Sequence, residues 1–357
     1  MKNDFKLTIE KLIQTKSLST EEYQFLIESF SEESLEYIAP LALKEKQKAY
    51  GNSIYIRGLI EISNICKNDC LYCGIRASNK NCDRYRLTKE QILSCCKEGY
   101  ALGFRTFVMQ GGEDMHYTDD VMCDIVASIK ELYPDCAVTL SLGERSYDSY
   151  KRLYDAGADR YLLRHETADS LHYGKLHPEA LSFDNRIKCL ESLKEIGFQV
   201  GCGFMVGSPY QTTENLAKDL KFIEEFSPHM CGIGPFIPHK DTCFADEKPG
   251  SVELTCYLLA IIRLMHPGIL LPATTALASL KKDGREKGIL CGANVVMPNL
   301  SPMEDREKYS LYDNKAFTGT EAAEGLKALS QSLEKIGAKI AFERGDSKID
   351  VKRMTSH

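Results

Sequence analysis

Ser53-Ile54-Tyr55-Ile56-Arg57-Gly58-Leu59-Ile60-Glu61-Ile62, followed three residues later by Cys66-Lys67-Asn68-Asp69-Cys70-Leu71-Tyr72-Cys73, is the stretch on which the fold turns. The first part is rich in β-branched and aromatic side chains, as a strand requires, and the cysteines lie just past its end. Downstream, further short β-rich runs at 106–110, 137–142, 160–164, 199–206, 230–234, 269–273 and 294–297 alternate with helical patterns at 88–101, 119–132, 146–155, 183–196, 213–226, 252–266 and 276–283. This alternation is that of repeated βα units and a parallel sheet. Counting 53–62, there are eight runs, which predicts an α/β fold closed as a (β/α)8 TIM-type barrel. In such a barrel the loops at the strand C-terminal ends form the catalytic face, and 66–73 is the first of them.

Outward from the barrel, apolar positions at three and four spacing (Phe5, Ile9, Leu12, Ile13, then Tyr23, Leu26, Ile27) predict short amphipathic helices, with Ser19 and Ser31 as caps. The expected division is an N-terminal helical extension over 1–50, the barrel over 51–315, and a C-terminal helix (320–336) with a polar tail over 316–357. The net charge of -6 and the lack of a basic block with interleaved aromatics argue against nucleic acid. No export signal is visible and no apolar run reaches the roughly 20 residues a bilayer span needs, so neither a membrane nor secretion is expected, and a cytoplasmic location is. In a reducing compartment the 14 cysteines read as ligands, catalysts or buried thiols rather than disulfides. Cys95, Cys96, Cys123, Cys189 and Cys256 fall in helical patterns and read as small buried hydrophobes.

Cys66, Cys70 and Cys73 form a separate group. Thiolates are the usual ligands of iron–sulfur clusters; a [4Fe–4S] cluster takes four ligands, so three close cysteines leave one iron open. The alternatives are half of a zinc site, with Cys82 as the nearest further thiol, or three unrelated buried thiols. Other strand ends carry polar groups of matching kind. Gln110-Gly111-Gly112-Glu113-Asp114 closes the second run, where paired glycines allow close backbone approach or make an ordinary turn. Arg160-Tyr161-Leu162-Leu163-Arg164-His165-Glu166-Thr167 closes the fourth. Glu166 is suited to an ammonium and Arg186 to a carboxylate, against the plainer reading of Arg186 as a solvated helix residue. Gly232–His239, Pro272–Thr275 and Asn294–Asn299 close the sixth, seventh and eighth runs as pocket walls, with His239 as structural lining.

The spacing Cys-x3-Cys-x2-Cys, with Tyr72 before the last cysteine, resembles the motif of the radical S-adenosylmethionine (SAM) superfamily. That resemblance implies that the open iron binds the amino and carboxylate groups of SAM, whose reductive cleavage yields methionine and a 5′-deoxyadenosyl radical. The ordered set SLGE (141–144), DRYLLRHET (159–167), GIGPFIPH (232–239), PATT (272–275), CGANVVMPN (291–299) and YSLY (309–312) resembles the HydE family of [FeFe]-hydrogenase maturases over 53–313. The family resemblance implies a role in assembling the diiron subsite of that hydrogenase, on a small cysteine-derived, iron-bearing precursor. It further implies HydG and HydF as maturation partners and an external electron donor such as ferredoxin or flavodoxin. By motif matching, Tyr72, Gln110, Gly111, Glu166, Arg186 and Tyr309 would line the SAM site, and Thr139, Arg160, Arg164, Thr274, Thr275, Met297 and Tyr312 the substrate cavity. Some family members carry a second, C-terminal cysteine set; here the last cysteine is Cys291, which implies a single cluster. Biotin synthase and methylornithine synthase resemble the chain more distantly, and keep open a radical synthase or mutase of a small metabolite. A non-enzymatic binding protein with a structural metal is the third reading.

Overall fold

The first β-rich run is two strands rather than one. In the computed structural model, which describes residues 4–349, the chain breaks at Arg57 between Ser53–Ile56 and Gly58–Ser63. From Gly58–Ser63 a parallel sheet runs through Thr106–Gly111, Ala137–Ser141, Arg160–Leu162 and Gln199–Cys202 to Met230–Cys231. Single bridges, Met230 to Leu270 and Pro272 to Val295, carry the pairing onward. Val295–Val296 then pairs with Ser53–Ile56, and the barrel closes. Every residue of Gly58–Ser63 is buried, as expected of a strand covered on both faces.

Three expected strands differ in detail. The 269–273 run makes only its two bridges, in part because Pro272 lacks the N–H a ladder needs. The 199–206 run splits into Gln199–Cys202 and Met205–Val206 around Gly203, whose φ is +153° and where a Cβ would stand 2.0 Å from the Gly232 carbonyl oxygen. The 230–234 run likewise divides, and Met205–Val206 pairs with Gly234–Pro235 at the barrel mouth.

The helices follow their capping signals closely. Thr88, Thr118, Ser146, Ser182, Thr212 and Ser251 each accept a backbone N–H from the first turn that follows, and Phe183–Ile196 and Thr213–Phe226 have the expected bounds. The helix Val252–Met265 is buried almost all round, because the N-terminal helices cover its outer side and Tyr257 donates to the Leu26 carbonyl at 3.2 Å. The expected 276–283 helix is two, Thr275–Leu280 and Gly284–Leu290, and a short helix over Ser170–Leu176 was not foreseen. The C-terminal helix is Leu326–Lys335, preceded by two 3-10 turns. Part of the expected polar tail is structural: Lys339–Ala341 pairs with Ser53–Ile56, and the chain then crosses the strand N-terminal ends. Residues 1–3 and 350–357 of the two expected terminal segments lie outside the described residues. Among the described residues no helix is long and apolar enough to cross a membrane.

Candidate active site

The cysteine loop leaves the strand Gly58–Ser63 and is fastened by backbone groups. Cys66 Sγ accepts N–H bonds from Asn68 and from Glu113, each at 3.4 Å, and Cys73 donates its N–H to the Cys70 carbonyl at 3.1 Å. Arg84, which the sequence reading passed over, spans the loop: Nη1 donates to the carbonyls of Asn64 (2.5 Å) and Ile75 (2.8 Å), Nη2 to those of Arg76 (2.6 Å) and Asn79 (3.0 Å). Two glycines permit the packing. A Cβ on Gly112 would stand 2.3 Å from the Ile65 carbonyl oxygen and 2.8 Å from Cys66 Cβ, and one on Gly74 2.3 Å from both the His239 ring and the Ser310 carbonyl oxygen.

Burial pushes all three thiols up, Cys70 well above the ordinary value and Cys73 to about 12; neighbouring thiols add to this at Cys70 and Cys73, and the Glu113 carboxylate at Cys66. Three thiolates are stable in such a place only against strong positive charge, which the irons of a cluster provide. The donor set therefore fits a three-cysteine cluster. Among the described residues no three His, Cys, Asp or Glu side chains are placed to hold one metal ion. Cys82 instead receives an N–H from Asn64 at 3.5 Å.

The expected cofactor residues stand around this loop. The charges of Glu166 and Arg186 are felt at both Cys70 and Tyr72, and Tyr309 feels Cys66 and Cys73. Glu166 has φ +65°, rare for a residue with a side chain, and its Oε2 has no hydrogen-bond partner among the described residues. Arg164 Nη2 is 3.0 Å from that oxygen, but off the direction of a hydrogen bond. Arg186 is buried, not solvated: Nε donates to Glu144 and Nη1 to the Arg164 carbonyl, both at 2.6 Å. Tyr72 reaches His177 Nε2 at 3.3 Å, edge to face with its ring. Gln110 donates to the Tyr309 hydroxyl at 3.3 Å, and Gly111 is half-buried beside it.

Residues 309–315 lie across the barrel mouth. Buried Glu61 forms an ion pair with Lys315 and accepts from Asn299 Nδ2 at 2.8 Å, while Lys315 donates to the Tyr309 carbonyl at 3.0 Å. The Gly74 N–H joins the same segment at the Leu311 carbonyl, 2.9 Å away. The Glu61–Lys315 pair was also missed, because the partners are far apart in sequence.

The expected substrate residues divide by depth. Arg164 and the half-buried Tyr312 belong to the mouth. Thr274 donates to the Ile233 carbonyl at 3.4 Å and Thr275 to Glu321 at 3.0 Å, so both hydroxyls have protein partners. Met297 packs with Met230, Leu270 and Val295 inside the barrel. Thr139 and Arg160 are deeper still, on a cavity of about 10 Å³ shared with Arg57 and Met230, enough for about one water. The expectation for Arg160 needs correction: it opens its strand at the N-terminal end, and its guanidinium is taken up by Asp346 (2.6 Å), the Arg344 carbonyl (2.9 Å), Thr106 (3.0 Å) and Gln199 (3.3 Å). Its place in the strand puts Arg160 at the end of the barrel opposite the mouth, where the C-terminal segment supplies its partners.

The family model of the Radical SAM superfamily matches residues 60–223. The [FeFe] hydrogenase maturase subunit HydE of Thermotoga maritima is 44% identical over 88% of this chain and 89% of its own length. A 3-methylornithine synthase of Methanosarcina acetivorans is 28% identical over 92% of each chain. The crystal structure of a methylornithine synthase (PylB) superposes with a TM-score of 0.83 at 27% identity, covering 94% of this chain and 97% of the other.

Proposed function

The chain belongs to the radical SAM superfamily, in its HydE group of hydrogenase maturases, and from that premise we propose that it completes a small iron-bearing, cysteine-derived precursor of the [FeFe]-hydrogenase diiron subsite. Its cofactors are a [4Fe–4S] cluster and SAM, as the family requires. When bound and reduced, the cluster supplies the electron that opens the sulfonium of SAM to a 5′-deoxyadenosyl radical.

The residues of this chain bind, orient and exclude water. Cys66, Cys70 and Cys73 would hold the cluster. Glu166, with one carboxylate oxygen that accepts no hydrogen bond among the described residues and has only the Arg164 guanidinium at 3.0 Å, would accept the SAM ammonium, and that oxygen is the observation that carries the reading. Gln110, Gly111, Tyr72 and Tyr309 would form the walls, and Arg186 would face the SAM carboxylate while Glu144 fixes its guanidinium plane. Residues 309–315, held by Glu61 and Lys315, would cover the mouth and keep water from a reactive radical. Arg164, Thr274, Thr275, Met297 and Tyr312 would meet an anionic substrate, with Thr139 below them. HydG as supplier, HydF as recipient, and a ferredoxin or flavodoxin as electron source complete the proposal.

Anaerobically reconstituted, reduced protein given SAM and the iron–cysteine precursor is expected to form 5′-deoxyadenosine and to alter the precursor, both read by mass spectrometry. Cleavage of SAM with an unaltered precursor would overturn the substrate while leaving the reaction class, and would favour the small-metabolite reading carried by the methylornithine synthase likeness.

A further inference from the structure

A helix that packs on a barrel with apolar side chains has little use for a buried acid. The helix Thr213–Phe226 buries Leu216, Ala217, Leu220 and Ile223, and together with them Asp219, whose side chain is fully inaccessible. An unpaired carboxylate in such a place is costly, so its partners show what it is for. Asp219 Oδ1 accepts the Ala168 N–H at 2.5 Å and lies 3.3 Å from Nε2 of His165, which is equally buried; this is a close contact rather than a hydrogen bond, because His165 Nε2 and Asp219 Oδ2 have no hydrogen-bond partner among the described residues. The other nitrogen of His165, Nδ1, accepts the Gly203 N–H at 3.4 Å. The imidazole sits against Phe204 and Phe222, with centroids 5.9 and 4.6 Å away, and has little room to turn.

These contacts bracket Glu166 on both sides along the chain. The Glu166 N–H is itself tied to the Gly203 carbonyl at 3.0 Å, so His165, Glu166 and Gly203 form one unit. A left-handed φ at a residue with a side chain persists only where its surroundings over-determine it. We propose that Asp219 and His165 are positioning residues that hold the Glu166 turn in its left-handed conformation and so set the affinity of the site for the amino group of SAM, an inference that rests on the reading of Glu166 above.

The test titrates anaerobically reconstituted protein with SAM, by equilibrium dialysis and by the electron paramagnetic resonance of the reduced cluster. Asp219→Leu, similar in size but with no acceptor, is expected to weaken SAM binding about fivefold or more, with iron content and the SAM-free spectrum unchanged. Asp219→Asn keeps an oxygen for the Ala168 N–H and is expected to stay within about twofold of the parent. Should Asp219→Leu not fold, Asp219→Ser, whose hydroxyl is too short to reach Ala168, carries the same expectation. Glu166→Gln is measured alongside. If it weakens SAM binding and the Asp219 variants do not, the positioning role is overturned and the reading of Glu166 stands. If Glu166→Gln binds SAM as the parent does, that reading falls and this inference with it. Equal losses in the Leu and Asn variants would also overturn the proposal, because the amide keeps the bond on which the clamp depends.

Discussion

At the scale of single residues, the site depends on atoms that are missing as much as on those that ligate. Gly112 lets the second strand's end pass so close to Ile65 and Cys66 that a Cβ would meet the Ile65 carbonyl oxygen at 2.3 Å. Gly112→Ala is therefore expected to shift the first cysteine, lower iron incorporation and cost on the order of 1–3 kcal/mol, as overpacking does. Iron-to-protein ratio and urea unfolding check this, and full iron loading would show that the Cys66 turn can yield. Arg84 is expected to matter in a different way. It binds four carbonyls of the cysteine loop, so Arg84→Lys, which cannot span them, should lower iron loading more than it lowers the unfolding midpoint. An unfolding midpoint that falls while iron loading holds would contradict this. The thiol spacing was legible in the sequence because ligands three and four residues apart report on one local loop. Arg84 was not, because nothing local marks a side chain that folds back on the loop it follows.

At the scale of elements, the C-terminal segment is the part whose role the sequence hid. Its polar composition reads as a tail, yet Lys339–Ala341 adds a strand beside Ser53–Ile56, and Arg344 and Asp346 close the N-terminal end of the barrel over Arg160. Burial works against ionisation of Asp346, but the Arg160 guanidinium, with Gln199 and Arg344, outweighs it and holds the carboxyl at about 2. A carboxyl depressed in the folded state adds stability above its unfolded value near 3.9 and loses it as pH falls toward about 2. Asp346→Asn is thus expected to lower the melting temperature by a nearly constant amount between about pH 5 and 8, where Asp346 stays charged. A difference that varies across that range would point to another titrating group. Helices were easier to foresee, because a Ser or Thr cap and an apolar stripe are contiguous signals.

At the scale of the whole molecule, barrel and site are one construction: the strands bring residues from 66 to 312 to one mouth, and the tail shuts the other end. The family's two cofactors and the single cysteine triad lead to an expected content of about four irons per chain after reconstitution, whereas about eight would require a second cluster. Replacing Cys66, Cys70 and Cys73 together by Ala is expected to abolish cluster absorbance and 5′-deoxyadenosine formation while circular dichroism stays that of the parent, since all three are only partly buried and of them Cys73 alone packs against the core. The sequence by itself determined the alternation of strands and helices, the cysteine loop at the first strand end and the family, because each is written in residues close together or in fixed order. Only the tertiary structure decided that Arg160 lies at the closed end, that Arg186 is buried against Glu144, and that Glu166 is held in a left-handed turn. Those facts depend on strand register and on which end of a strand a residue occupies, and both are set by contacts between segments far apart in the chain.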